Sequence, residues 1–403
     1  MPGKVVITGL GPVSSIGTGV SEFCASLRAG QSGISPIKGF DASGFPYRNG
    51  GEVSGFRPER VLRRLDTDEW GRSSLFAAAA ARLAICDAGL DDSPWLVPER
   101  SGAVIGTTSG ESQVVESLVA QQVAAGYGAM SPEEVRRLPA ERLAYAVAVE
   151  LGLAGEVLTL ATACSASNYA IGYAFDRVAA GEADVMLAGG ADSVCRWAHA
   201  GFYRLGALTE QECRPFDANR DGILTGEGGA VLVLEDAEHA AQRGARVYAE
   251  LLGYGLNCDA AHMVMPNEDS IAVCMRQAHA NAGITPDQVD YISAHGTGTP
   301  ANDLTEARAL LQVFGERIPP ISSIKSMLGH TMGAASGFGA IAGALAIAES
   351  FLPPTVNWRT PDAEFPWIDP VANVARPAQV RVVQNDGFAF GGNNAITILG
   401  TQR

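Results

Sequence analysis

The feature that most constrains this chain is a repeat of layout rather than of letters. In the first half an apolar run, Val5-Val6-Ile7-Thr8, leads into Gly9-Leu10-Gly11. Later Val157-Leu158-Thr159-Leu160 runs into Cys164 and a small-residue stretch, Ser167 to Ala180, and the half closes on the strand-like Gly229 to Glu235. The second half repeats this grammar. Val247 to Leu252 leads into Gly253-Tyr254-Gly255, Pro320-Ile321-Ser322-Ser323 runs into His330 and the small-residue stretch Gly333 to Glu349, and Phe388 to Leu399 closes the half. Strand-like runs that alternate with helical ones predict an α/β protein of packed layers with mainly parallel sheets. The near-duplicate order predicts two related halves about a pseudo-dyad, 1–250 and 251–403. In such sheets reactive groups collect where a strand hands over to a helix.

Composition narrows the classes. The chain has 403 residues, 47% hydrophobic and 18% charged, enough apolar material for a packed core and unlike a disordered sequence. Met1 to Gly9 enters a strand-like run with no basic segment, apolar segment and cleavage site, so a cytoplasmic protein is expected. Ser326 to Ala348 is uncharged, but it holds His330 and is mostly Gly, Ala and Ser, which suits a buried helix better than a membrane span. Seven widely spaced cysteines, with no Cys-x-x-Cys pair and no histidines at metal-ligand spacing, predict reduced thiols and no metal. A net charge of −15 argues against nucleic acid as a partner. Only three lysines occur, Lys4, Lys38 and Lys325, which singles out Lys325 in an uncharged neighbourhood.

Three residues stand where chemistry is expected. Cys164 follows an apolar strand, and Ser165-Ala166-Ser167-Asn168 opens a helix whose positive end favours a thiolate. The same cysteine also reads as a small core residue. His295 ends the run Val289 to Ala294 and precedes Gly296-Thr297-Gly298-Thr299-Pro300; His330 closes Lys325-Ser326-Met327-Leu328-Gly329-His330. Either histidine alone reads more readily as structural than as catalytic. Two of six histidines at equivalent strand exits, each wrapped in glycine, favour a shared site.

The motifs Thr162-Ala163-Cys164-Ser165, His295-Gly296-Thr297-Gly298-Thr299-Pro300, Lys325 to His330 and Phe388-Ala389-Phe390-Gly391-Gly392-Asn393 resemble those of the β-ketoacyl carrier-protein synthases, both the type II elongating enzymes and the polyketide ketosynthases. The resemblance runs from Val5 to Leu399. It implies a thiolase fold of two pseudo-dyad-related halves in five layers, αβαβα. It implies that Cys164 takes an acyl group from the phosphopantetheine of an acyl carrier protein, and that His295 and His330 serve decarboxylation of a malonyl carrier protein. It further implies an oxyanion hole from the amides of Cys164 and Phe390, pantetheine contacts from Thr297 and Thr299, and an ordering pair of Lys325 with Glu306. Arg60, Arg63 and Arg64 align with the carrier-protein docking region, although a solvated helix face explains such charges equally well. No cofactor is implied beyond the carried phosphopantetheine. The implied assembly is a homodimer, or a heterodimer with a chain-length-factor-like subunit.

Some features mislead or depart. Asp217-Ala218-Asn219-Arg220-Asp221-Gly222 imitates a calcium loop, but its acidic residue falls one place early, at Glu227, so it is read as structural. Gly9-x-Gly11-x-x-Ser14 lacks the third glycine of a dinucleotide fingerprint. After Ser131-Pro132 the chain reads Glu133-Glu134-Val135-Arg136-Arg137 where the elongating enzymes are apolar, and Ala389 stands where they have glycine. Two rival readings are a non-catalytic chain-length partner, disfavoured by Cys164 and both histidines, and a coenzyme A-dependent thiolase, disfavoured by the two-histidine motif.

Overall fold

The computed structural model describes residues 3–402. Ten strands form the continuous path of the main sheet, to which the two-residue strand Gly17–Thr18 adds beside the first: β1 Val5–Ser14, β2 Ser101–Gly106, β3 Val157–Leu160, β4 Val185–Asp192, β5 Gly228–Asp236, β6 Ala249–Cys258, β7 Tyr291–Ser293, β8 Ile321–Ser322, β9 Val382–Phe388 and β10 Asn393–Gly400. Their spatial order is β8-β7-β9-β10-β6-β1-β5-β4-β2-β3. The order reads identically outward from the β1–β6 junction, so β1 to β5 and β6 to β10 trace the same topology twice. The second copy opens at Ala249.

The expectation of mainly parallel sheets needs correction. The outer pairings β8–β7, β7–β9, β4–β2 and β2–β3 are parallel, whereas β9–β10, β10–β6, β6–β1, β1–β5 and β5–β4 are antiparallel. Two causes are visible. The closing run predicted over Phe388 to Leu399 is broken at 389–392, where Gly391 (φ +89°) and Gly392 (φ +84°) turn the chain back on itself as a hairpin. A dyad between the halves also sets β1 and β6 in opposite directions, with Val5 opposite Leu251 and Ile7 opposite Ala249.

Helices fill three layers. α1 (Arg72–Asp87) lies on the outer face of the first half, backed by α3 (Arg142–Leu151), while α2 (Ser112–Ala125) lies apart from that pair. The alanine run Ala77 to Ala81 lets α1 sit close on β1, where a Cβ at Gly11 would come within 1.8 Å of the Ala80 carbonyl oxygen. α4 (Ala166–Ala179), which follows Cys164, forms the middle layer with α8 (Ala335–Glu349). α5 (Arg196–Arg204) lies in the excursion between β4 and β5, and α6 (Glu268–Asn281) and α7 (Pro300–Phe314) cover the outer face of the second half. α8 is buried on every side from Ala335 to Ile347, because it packs against β5 of the first half and β9 of the second. Its Phe338, Ile341 and Leu345 each contribute about 1.5–3 kcal/mol by burial. This explains the uncharged stretch: Met332–Glu349, the one described helical segment long and apolar enough to cross a membrane, is 89% buried within the protein.

Candidate active site

Both middle-layer helices begin in the same way. Before α4 the chain turns through Ala163, whose φ of 51° is left-handed, into a short turn Ala163–Ser165 carrying Cys164. Before α8 it turns through Met332, φ 54°, into a short turn Met332–Ala334 carrying Gly333. Neither Ala163 nor Met332 is a residue that favours this conformation, and left-handed strain held by surrounding structure is a common mark of functional turns. His330 stands two residues before the second elbow, and its Nδ1 accepts the Met332 N–H at 3.0 Å. That bond assigns the ring proton to Nε2, leaving a neutral imidazole that can donate a hydrogen bond. His295 follows β7, and its ring centroid lies 5.7 Å from that of His330 with the rings nearly perpendicular.

The charges behind the histidines are organised around one peptide. Glu306, fully buried on α7, accepts the backbone N–H groups of His295 at 2.8 Å and Gly296 at 2.7 Å. Lys325 donates from Nζ to the His295 carbonyl oxygen. The expected Lys325–Glu306 pair is therefore not a direct ion pair: the two grip the His295 peptide from its two sides, because backbone donors saturate the carboxylate. Burial pushes the Glu306 carboxyl up and the Lys325 ammonium down, and each charge opposes the other's shift. Burial, then the Lys325 charge, pushes His330 down to about 3 and holds His295 well below the usual histidine range. Both rings are neutral at physiological pH.

Cys164 departs from the thiolate expected at a helix start. Burial pushes its thiol up to about 11, and the opposing pull of Lys325 and of the Phe390 and Cys164 backbone amides is smaller. The helix end is present but its field loses to desolvation. At neutral pH the Cys164 group is therefore a thiol.

Cys164, His295 and His330 line one cavity of about 250 Å³ together with Thr297, Thr299 and Phe390. The Thr297 and Thr299 hydroxyls lie 2.9 Å apart, and Thr299 Oγ1 also caps α7 by accepting the Asn302 N–H. Phe390 is 37% exposed at the mouth and packs 5.9 Å from Phe202 of α5. The 389–392 turn is laced to a second segment of the rim: Gly391 N–H donates to the Met263 carbonyl at 2.7 Å, and Asp259 N–H to the Gly392 carbonyl at 2.9 Å.

The arginine cluster lies outside this cavity. Arg60, Arg63 and Arg64 are exposed, but Arg63 pairs with Asp91 at 2.8 Å and Asp92 at 3.3 Å, so the basic patch is weaker than three arginines suggest. Glu150 fixes the segment by accepting the N–H groups of Arg63, Arg64 and Leu65. Asp217 of the calcium-like stretch accepts the N–H groups of Asn219, Arg359 and Thr360. The rim residues Met263 and Met265, and Phe202, escaped the sequence reading because no chemistry-bearing motif surrounds them. Asp192 was also missed, since nothing local distinguishes an acid at a strand end.

Comparison with known proteins identifies the family. Residues 3–240 match the beta-ketoacyl synthase N-terminal domain family and residues 248–359 its C-terminal domain family. The chain belongs to the β-ketoacyl synthase family, with the thiolase fold. It is a condensing enzyme, an acyltransferase of the 3-oxoacyl-[acyl-carrier-protein] synthase type. A 3-oxoacyl-[acyl-carrier-protein] synthase 2 of Coxiella burnetii is 38% identical over 407 residues, 98% of each chain. The solved ishigamide ketosynthase/chain length factor superposes with a TM-score of 0.97 at 50% identity, covering 100% of both chains. A type II polyketide acyl carrier protein in complex with its ketosynthase bound to the hexaketide gives a TM-score of 0.91 at 32% identity, again over 100% of both.

Proposed function

We propose that this chain elongates an acyl chain by decarboxylative condensation with malonyl carrier protein, through Cys164, His295 and His330. The observation that carries the reading is the convergence of a buried thiol and two neutral imidazoles on one cavity. Cys164 Sγ attacks the thioester carbonyl of an incoming acyl carrier protein, and the amides of Cys164 and Phe390 receive the oxyanion. The pantetheine sulfur leaves and takes up the proton the thiol gives away, so the exchange of one thioester for another needs no net acid or base. Malonyl carrier protein then enters with its pantetheine beside Thr297 and Thr299. Its carbon–carboxylate bond breaks, carbon dioxide departs, and the electron pair moves onto the thioester oxygen, where His330 Nε2–H and His295 donate hydrogen bonds. The enolate carbon attacks the acyl-Cys164 carbonyl, the tetrahedral intermediate collapses by breaking the carbon–Sγ bond, and the departing Cys164 sulfur takes up a proton from water to return to the thiol.

Burial and charge support the neutral-donor role, because desolvation, reinforced by the Lys325 charge, holds both imidazoles unprotonated while Lys325 bonds to the His295 carbonyl. No cofactor is needed in this sequence of steps. Arg60 and Arg64, with Arg63 partly neutralised, are read as a docking patch for the acidic carrier protein. A second subunit is read onto the face of α2, where Val115, Val119 and Val123 form an exposed stripe at helical spacing, and onto the edge strand β3, half-exposed along its length. Either a second copy or a chain-length-factor-like chain suits that face, and the unpaired cysteines suit the cytoplasm.

The test is to incubate the purified chain with acyl carrier proteins of several chain lengths, add malonyl carrier protein, and weigh the intact species. An acyl adduct on Cys164 followed by a product two carbons longer is expected. Adducts and extended products surviving in Cys164→Ala overturn the reading. Thiolysis of a 3-oxoacyl coenzyme A faster than condensation points to a thiolase instead.

A further inference from the structure

Asp192 stands at the end of β4, 1% exposed, and neither rings nor arginines compensate it. Its carboxylate is satisfied by four donors. From the first half it accepts Thr107 Oγ1–H at 2.7 Å, Thr108 N–H at 2.7 Å and Ser109 N–H at 3.3 Å. The fourth donor crosses the dyad: Gly333 N–H, at 2.7 Å. The other side of residue 333 is held from the first half as well, since Ser167 Oγ–H of α4 donates to the Gly333 carbonyl at 2.5 Å. The fit leaves no slack, because a Cβ at Gly333 would lie 2.7 Å from Asp192 Oδ2.

The neighbouring amide gives this grip a chemical consequence. Met332 N–H, one residue before Gly333, is the donor that fixes the His330 ring through Nδ1. Two successive amides of a left-handed turn thus point at two acceptors, His330 and Asp192. A turn whose Gly333 amide is released is free to relax toward a conformation that methionine prefers, which withdraws the Met332 donor from His330. The imidazole then loses the partner that selects its Nε2–H tautomer.

We infer that Asp192 is a positioning residue for His330: its carboxylate, reaching from the first half, holds the Met332–Gly333 turn so that His330 presents Nε2–H to the cavity. The same carboxylate sits within electrostatic reach of Cys164 and opposes formation of a thiolate there. It therefore touches neither substrate yet biases both reactive groups. Burial pushes Asp192 up to about 6, held down against that by its four donors, so it carries charge at neutral pH.

This inference rests on the proposed role of His330, and the experiment separates the two. Decarboxylation of malonyl carrier protein and alkylation of Cys164 by iodoacetamide at pH 8 are measured for the wild type, Asp192→Asn and His330→Ala. In Asp192→Asn decarboxylation is expected to fall on the order of tenfold to a hundredfold in kcat, with KM for malonyl carrier protein within about twofold, as for a misoriented catalytic group. Alkylation of Cys164 is expected to rise, because removing a nearby negative charge favours the thiolate. A merely structural role lowers both rates together. Unchanged decarboxylation in Asp192→Asn, with His330→Ala impaired, overturns the inference alone; unchanged decarboxylation in both overturns the proposed role of His330. Should Asp192→Asn not fold, nitrogen-15 spectra of histidine-labelled wild type decide: the Nε2–H tautomer is expected for His330, and an Nδ1–H tautomer overturns the inference.

Discussion

The two elbows of this protein share a backbone and differ in what they carry. At the first, the turn through Ala163 puts Cys164 itself at the head of α4. At the second, the turn through Met332 puts Gly333 in the matching place, and the cavity-lining side chain is His330, three residues earlier in the chain. The difference has a steric cause. Asp192 and the Thr107 backbone occupy the volume that a side chain at 333 would need. One copy of the turn carries a thiol, while the other carries a glycine whose preceding amide fixes the His330 ring. In the proposed reaction the duplicated architecture supplies bond formation from one half and charge stabilisation from the other.

The largest test of this division is to remove each reactive group and ask whether the other half still works. Cys164→Ala is expected to lose condensation on the order of ten-thousandfold while still decarboxylating malonyl carrier protein, as measured by carbon dioxide release. His330→Ala is expected to do the reverse, losing decarboxylation by about 10²–10³-fold while intact mass still shows acyl-Cys164. If either variant loses both activities, the halves are not separable in this way. Lys325→Ala comes next. It frees the His295 carbonyl and removes the charge that reinforces burial in keeping both rings neutral, and decarboxylation measured against pH is expected to fall about tenfold or more.

Smaller effects appear in stability. His330 titrates near 6.5 when unfolded and near 3 in the folded protein, so the unfolded chain binds the extra proton as pH falls. The stability this group contributes is complete above about pH 6.5 and is lost progressively toward pH 3. Chemical denaturation at pH 7 and pH 5 should therefore show wild type losing ~2 kcal/mol more than His330→Ala over that interval. The smallest effect sharpens the comparison of backbones. Ala163→Gly relieves a left-handed alanine without emptying a core site, and its melting temperature should rise by an amount equivalent to about 1 kcal/mol. Met332→Gly relieves the same torsion but deletes a side chain that is 2% exposed, and it should lose stability by about 2 kcal/mol or more.

Much of this was legible in the sequence, for identifiable reasons. The repeated order of elements showed because strand and helix grammar is local, and Cys164, His295 and His330 showed because each sits in a short run with its own chemistry. Pairing direction did not show: the hairpin at 389–392 interrupts what reads as one closing strand, and only two glycines with positive φ betray it. The elbows were invisible because alanine and methionine do not announce a left-handed turn. The thiol's state was misjudged for another reason: a helix start can be read from neighbours in sequence, whereas the burial that outweighs it comes from both halves closing over Cys164. Asp192 illustrates the same limit, since its partners at 107–109 and 333 lie more than eighty residues away on either side.

The seam between β1 and β6 carries one more consequence. Between the halves the chain passes through residues 244–248, which lie between a short helix ending at Gln242 and the start of β6. Only its last residue engages the main sheet, Tyr248 N–H donating to the Ile7 carbonyl of β1 at 2.9 Å. A polypeptide cut there keeps every strand, both elbows and the Asp192–Gly333 bond, so two separately made fragments carry the complementary surfaces needed to find each other. The covalent link then acts as a tether that sets local concentration, and the enzyme's integrity belongs to the interface.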